Sequence, residues 1–408
     1  MTKTQTTEQK TPTNLSRRTF LKAVAGGGIL LASGGLWGSI NRGVFSTGKG
    51  PAYAGWRQWS AAQAAGEPLE GGLASAILAS NAHNTQPWLV SVDGDTLDVY
   101  MDLSRNIGSI DPFYREMYLS LGCFLENLHV TAAAHNHSWQ ETVYGGDFRQ
   151  VHVARLQMQD HSLGLSSAHA ALYEAIPERH TNRGAYDTAR PMENQVLSEL
   201  AALQDRDGPR LHWWTSAEDK QKVGDLIIQA TEAIIADEQQ ARDSHRWYRE
   251  SWDELQLRKD GTTLDATGNG FLVRAVGKLI PVSEQTAHDY WLGSTRDTQV
   301  PTAAAFGGIS IPDPSDRRQL VAAGRLWQRI QLLATRMGIA MQPLNQPHER
   351  IDRDRQLGQP SAFGEGYSQL PGLSGQPCIF TFRAGYPDSP ALPSPRRAVE
   401  EIRLARPV

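Results

Sequence analysis

Apolar and polar positions change rhythm several times along the chain. Residues 1–15 are polar and have no apolar period. Ala23 to Trp37 is apolar and glycine-rich, but too short and too weakly apolar for a comfortable membrane span. Leu89 to Met101 reads as two short strands around the turn residues Asp93-Gly94-Asp95, which predicts a hairpin. Asp111-Pro112 then opens a helical pattern, with Phe124, Leu128 and Thr131 on one side. Asp313-Pro314 opens a second, with Leu326, Ile330, Leu333 and Met337 on one side. Val151 to Met158 and Pro377 to Phe382 read as strands, and Ala168 to Ala175 as helical. Residues 218–260 predict a long, highly charged helical stretch. Gly261 to Gly270, rich in Gly, Thr and Asp, predicts a mobile loop.

The two long helical segments resemble each other. Asp-Pro, Arg115 and Arg317, and Gly122 and Gly324 recur at one constant offset of 202 residues. Two unrelated core helices would explain one such match. A duplicated unit also explains the strands that flank both. Residues 236–310 have no counterpart in the first half, so they form a candidate insertion or lid. Its aromatics, Trp247, Tyr248, Trp252, Tyr290 and Trp291, would cover a flat ligand or fill an ordinary core.

The chain has 408 residues, a prior of two to three domains at roughly 150 residues each. Hydrophobic residues make up 40%, enough for sizeable cores, which argues against wholesale disorder. With 40 basic and 44 acidic residues, the net charge is -4, which gives no global case for nucleic-acid binding. Cys123 and Cys378 are too few for a disulfide framework or a cysteine-rich zinc site and read as core residues. His135 and His137 lack a third nearby ligand, so no metal is expected.

The N-terminus reads as an address. Ser16-Arg17-Arg18-Thr19-Phe20-Leu21-Lys22 resembles the twin-arginine export motif, and Pro51-Ala52-Tyr53-Ala54 offers a small-x-small cleavage site. The expected partner is the twin-arginine translocation machinery, and the expected location is periplasmic or extracytoplasmic. The mature chain is expected to begin near Gly55 and to have no stable membrane span. A buried helix or an uncleaved anchor is the alternative. Folded export also hints at a cofactor inserted beforehand. Gly43, Gly48 and Lys49 have P-loop spacing, but Gly50 stands where Ser or Thr is needed and no strand precedes them, so that reading is set aside.

Two short motifs carry candidate chemistry. Ser80-Asn81-Ala82-His83-Asn84-Thr85-Gln86-Pro87-Trp88 packs amides, a hydroxyl and an imidazole into a helix-to-strand turn, a polar clamp for a heteroaromatic edge or a self-capped turn. Arg179-His180-Thr181-Asn182-Arg183 can grip a phosphate from two sides or be a solvated basic turn. No Gly-x-Ser-x-Gly elbow, zincin or dinucleotide fingerprint is present.

Both motifs resemble those of the nitroreductase superfamily of FMN enzymes, and the whole of residues 60–405 resembles its Acg-like branch, in which two nitroreductase-type halves are fused. The resemblance implies an α+β fold of two pseudo-dimeric halves, each an antiparallel-rich sheet packed by helices. Residues 1–54 would be the export signal and linker, 55–165 the first half and 166–408 the second. The Asn-Thr-Gln-Pro-Trp motif here precedes the Arg-His-Thr-Asn-Arg motif, the reverse of single-domain relatives, and each occurs once. A monomeric pseudo-dimer with one FMN is therefore expected. Ala82, His83, Asn84 and Gln86 would hold the ring. Arg179, His180, Thr181 and Arg183 would hold the phosphate together with Arg396 and Arg397. Pro343, Leu344 and Asn345 would pass the flavin N5 edge. The resemblance implies ping-pong transfer from a small-molecule donor to a nitroaromatic or quinone, with no side-chain acid required. Scarce NAD(P)H outside the cytoplasm and the candidate lid leave three alternatives open: a flavin-sequestering protein, a redox enzyme with a membrane or protein donor, and an exported structural protein without flavin.

Overall fold

The computed structural model describes residues 43, 45–65, 67–147, 150–160, 170–279 and 283–405. The twin-arginine motif and the apolar stretch after it lie outside these residues, as do the first two residues of the helical run expected at 168–175, which ends in a 3-10 turn at Tyr173–Ala175. Among the described residues, no helix is long and apolar enough to cross a membrane.

The first half runs α1 (Ala54–Ala65), α2 (Pro68–Ala76), β1 (Trp88–Asp93), β2 (Thr96–Met101), α3 (Arg115–Ala134), β3 (His137–Val143) and β4 (His152–Asp160). The β1–β2 hairpin turns as the sequence predicts, with Gly94 at φ 57°. The second half begins with α4 (Asn194–Ala201) and β5 (Arg210–Trp214). An excursion follows: α5 (Ala217–Ala236), α6 (Glu238–His245), β6 (Tyr248–Arg249), α7 (Trp252–Arg258), β7 (Thr262–Thr263), α8 (Phe271–Leu279) and α9 (Glu284–Ser294). The chain returns through β8 (Ala305–Ser310), α10 (Arg317–Arg336), β9 (Ala340–Pro343), α11 (Gln346–Gln356), α12 (Ala362–Ser368) and β10 (Cys378–Gly385).

The two main sheets share one topology. Their strand orders are β1-β2-β4-β3 and β5-β8-β10-β9, antiparallel throughout. The left-handed residue between long helix and strand, Asn136 in one half and Gly338 in the other, keeps the 202-residue offset. This shared frame locates the insertion. It replaces the tight β1–β2 turn by residues 215–304, wider than the expected 236–310 at its start and shorter at its end. The long charged helix expected over 218–260 is broken. Asp237 caps α6 through the N–H groups of Gln239 and Gln240, and Ser251 caps α7. The expected loop 261–270 is tied down by buried Asp265, which pairs with Arg274 and Lys278.

Helices α3 and α10 pack against each other at the centre. A Cβ on Gly122 would collide with the carbonyl oxygen of Val321, and one on Gly324 with that of Leu119. The contact is reciprocal, because 119 and 321 are also 202 apart. Helix α10 is amphipathic as its apolar pattern suggested, but α3 is not. In α3 every residue from Arg115 to Ala133 is buried. The arginines at each helix start cross over. Arg317 donates to the carbonyls of Asp147, Gln150 and His152 in the first half. Arg115 donates to Ile379 O and pairs with Asp352 in the second. A single apolar core runs through both halves.

The first and last described segments meet. Val90 in β1 pairs with Arg403, so the C-terminal segment extends the first sheet. Residues just ahead of the expected start near Gly55 take part in the fold. Pro51–Tyr53 forms a 3-10 turn, Ala52 and Tyr53 are buried, and Ala52 O accepts from Arg396 N at 2.8 Å.

Gly122→Ala and Gly324→Ala are each expected to destabilise the protein by about 2 kcal/mol or more, because overpacking against backbone outweighs the helix preference of alanine. Urea-unfolding midpoints check this. Unchanged midpoints would mean the central helices are not held in backbone contact.

Candidate active site

A cavity of about 880 Å³ opens beside α3 and beneath the insertion. It lies toward the upper end of ligand-pocket sizes, roughly 300–1,000 Å³. Leu119, Ser120 and Cys123 of α3, Trp327 of α10 and Phe380 of β10 form part of its wall. All five aromatics singled out in the insertion, Trp247, Tyr248, Trp252, Tyr290 and Trp291, also line it.

The turn after α2 supplies one side. Asn81, Ala82 and His83 line the cavity. Ala82 N donates to Ser120 Oγ (3.1 Å) and Gln86 N to Asn81 Oδ1 (2.8 Å). His83, Asn84 and Gln86 all adopt positive φ, at 47°, 55° and 53°. Three non-glycine residues in the left-handed region within four positions cost about 1 kcal/mol or more each, and such strain clusters at functional sites. Asn84 and Gln86 supply the restraint that holds the strain in place. The Asn84 amide donates to Gly261 O (3.2 Å) and Pro395 O (3.0 Å). Gln86 donates to Lys259 O (2.8 Å) and accepts from Arg397 N (2.7 Å). Both were expected to face the ligand. Instead they are buried outside the cavity lining and bolt the turn to the insertion and to the C-terminal segment.

The basic motif divides. Thr181 and Arg183 line the cavity, and Arg183 donates to Ala266 O at 3.1 Å. Arg179 lies behind the wall, donating to Leu78 O and Gln331 Oε1, both at 3.1 Å. Arg396 reaches Leu78 O (3.4 Å) and Ala79 O (3.2 Å), so two guanidinium groups meet at one carbonyl. Arg397 stands apart, on Trp88 O at 3.1 Å. The four arginines therefore do not converge on one point as expected. Arg179 and Arg396 form a pair, with His180 beside them. Burial, with Arg179 next to it, works against the charge of Arg396. Among the described residues none of the four has a carboxylate within ion-pair distance, and Nε of Arg179, Arg396 and Arg397 is buried without a hydrogen bond.

Pro343 and Asn345 line the cavity, whereas Leu344 turns into an apolar cluster. Leu344 N–H is engaged by Thr381 O (2.8 Å). Asn345 bridges two elements: its Oδ1 accepts from Thr381 N (2.8 Å), and its Nδ2 donates to Glu116 Oε1 (3.0 Å). Glu116, Gln346 and Glu349 also line the cavity, and the sequence reading missed them. For Glu116 a signal existed in a break of the repeat: at the 202-residue offset it corresponds to Arg318, as Cys123 does to Arg325.

Two imidazoles are held neutral. Burial, with Arg183 as second cause, lowers His83 to about 4. Burial, then Arg179 and Arg396, lowers His180 to about 3; its ring packs edge-on against Trp56 at 4.9 Å. A histidine depressed in the folded state costs stability as pH falls below its unfolded value near 6.5, because only the unfolded chain takes up the proton. The loss is up to about 1.4 kcal/mol per pH unit for each group until its folded pKa is reached. His180→Asn should therefore flatten the decline in urea stability between pH 6 and pH 4. Equal slopes in both proteins would show that His180 is not held neutral.

No protein-family model matches the chain. It is 28% identical over 339 residues, 81% of this chain and 89% of the other, to Rv3131 of Mycobacterium tuberculosis, named for a proposed NAD(P)H nitroreductase activity. It is 26% identical over 199 residues, 48% of this chain and 55% of the other, to PigM of a Serratia strain, similarly named. Among solved structures, the FMN-dependent nitroreductase NfnB of Mycobacterium smegmatis, in complex with NADPH, aligns with 58% of this chain and 99% of its own at TM-score 0.36 and 14% identity. An FMN-bound nitroreductase of Desulfitobacterium hafniense aligns with 57% and 96% at TM-score 0.33 and 16% identity.

Proposed function

We propose that this chain, whose sequence relatives support a place in the nitroreductase superfamily, is an FMN-dependent oxidoreductase that passes two electrons from a nicotinamide dinucleotide to a nitroaromatic, quinone or similar acceptor. The observation that carries the reading is the meeting of the strained 81–83 turn, Thr181 and Arg183, and the 343–345 segment at one aromatic-roofed cavity.

The residues fit FMN. Arg183 beside Thr181 offers a cation and a hydroxyl to a phosphate, and among the described residues no carboxylate pairs with that cation. The orphaned Nε groups of Arg179 and Arg396 add unused donors behind the wall. The polar turn suits a ring edge. The N–H of Asn345, unlike that of Leu344, makes no hydrogen bond among the described residues. FMN, when bound, supplies the two-electron exchange. The protein binds and orients it, and the insertion's aromatics exclude water.

The Acg-like reading, two fused halves with one flavin, is supported by asymmetry between equivalent positions. Cys123 and Pro343 line the cavity, but their counterparts Arg325 and Glu141 are joined in an ion pair at 2.7 Å. Arg325 also pairs with Glu126, and Arg329 with Asp205. The second pocket position is thereby filled by protein charge. A sequestering role is the second reading. It is favoured by the bonds from Asn84 and Gln86 to Lys259 and Gly261, which hold the insertion over the cavity.

The purified protein is expected to show a flavin spectrum and to release FMN. Arg183→Ala should weaken FMN binding about ten- to a hundredfold, the value of a lost hydrogen bond to a charged group. NADPH should bleach the bound flavin. A flavin that resists NADPH yields to dithionite would select sequestration, and a colourless protein that takes up no FMN would end both readings.

Export by the twin-arginine route remains part of the proposal. Arg17→Lys combined with Arg18→Lys should hold the protein in the cytoplasm, as cell fractionation would reveal. Normal export of the double variant refutes the address.

A further inference from the structure

Glu349 sits in the first turn of α11 and lines the cavity beside Asn345 and Gln346. The residue is 7% exposed, and its carboxyl makes no hydrogen bond or ion pair with any described residue. Its acidic neighbours are engaged. Glu116 accepts from Arg115 (2.6 Å) and from Asn345 (3.0 Å). Asp352 takes the other face of Arg115 at 2.7 Å, and Asp111 accepts from the N–H groups of Glu116 and Met117, both at 3.1 Å. Arg350 and Arg353, on the same helix, turn to Asp237 and Asp354. From the insertion, Gln240 meets only the backbone oxygen of Glu349. Glu349 thus faces three carboxyls and one cation that is already committed.

We propose that Glu349 is the proton donor to the acceptor in the oxidative half of the reaction. This rests on the flavin reading above. With a quinone, the hydride that NAD(P)H first gave to the flavin arrives at one carbonyl oxygen, bringing two electrons and a proton. The O–H bond of Glu349 breaks, its proton goes to the second oxygen, and hydroquinone leaves. The carboxylate then recovers a proton from solvent. The electrostatics support the assignment: burial, then Glu116, pushes the carboxyl up to about 8, so the donor stays loaded at neutral pH. The arrangement reverses the usual expectation for this chemistry, in which no side-chain acid is required.

The test uses the flavin-loaded protein, reduced by NADPH and mixed with benzoquinone in a stopped-flow instrument. E349Q should keep its flavin content and its rate of reduction by NADPH, and lose about a hundredfold in reoxidation by quinone. The unmutated protein should lose reoxidation rate as pH rises through the pKa of the group, and E349Q should not. Infrared spectra at pH 7 should show a carboxylic-acid C=O band that E349Q lacks. An unchanged reoxidation rate, or no such band, overturns the proposal. Should E349Q fail to fold, the unmutated protein decides. Its quinone rate, divided by its rate with the one-electron acceptor ferricyanide, should fall with rising pH, and a constant ratio overturns the proposal. A colourless protein sinks the flavin reading itself and is distinguished by its spectrum.

Discussion

The close approach of the two central helices governs the rest of the structure. At Gly122 and Gly324 the backbones of α3 and α10 touch, which leaves no room for side chains at the crossing. Two helices this close bury the surface between them, and α3, covered on its other sides as well, has no solvent face along most of its length. Both sheets take their positions from this pair. The crossed arginines fix the orientation: each starts its helix in one half and ends its side chain in the other. Arg317 is nearly inaccessible, and several carbonyls of the 144–152 segment receive it. Surrounding carbonyl dipoles can hold a buried cation when each N–H finds an acceptor.

A near-symmetric frame offers two equivalent clefts beside the helix pair, and side-chain charge decides which one stays open. In one, small or apolar residues, Cys123 and Pro343, leave space. In the other, Arg325 and Glu141 occupy the matching positions and close on each other, with His129 bonded to Glu141. Removing either partner of such a pair would strand a charge in the interior, so the closure is self-consistent. The insertion follows the same asymmetry. It leaves the second sheet between β5 and β8, where the first half has a two-residue turn, and roofs the open cleft.

Elements governed by local chemistry were legible in the sequence. The Asp93-Gly94-Asp95 hairpin, the two long helices and the strands after them depend on short-range pattern, and they lie where that pattern puts them. The pairing of the helices was legible because glycine at a helix crossing repeats with the helix. Other features depend on distant partners and were not. Asn84 and Gln86 have the chemistry of ligand contacts, yet loops about 175 and 310 residues away claim their amides. Arg396 and Arg397 are adjacent in sequence, but their side chains reach different carbonyls. Asp237 and Ser251 break a stretch whose charge pattern alone reads as one helix. Glu349 gave no signal at all, because its significance lies in a carboxyl that no described residue engages, which only packing reveals.

The distribution of buried charge around the cavity calls for a ligand. Proteins of this size are only marginally stable, by about 5–15 kcal/mol. Arg179 and Arg396 share a carbonyl, and among the described residues neither has a carboxylate in ion-pair distance or an acceptor for its buried Nε. Each such donor costs about 1–3 kcal/mol, and the left-handed turn at 83–86 adds to the cost. A sequence selected for stability alone would relieve these positions with an acid or an apolar residue. An anionic ligand that binds only the folded state offsets the same cost through its binding free energy. The cation excess and the strained turn adjoin the aromatic-roofed cavity, and the ligand that suits them is flat, edge-polar and phosphorylated.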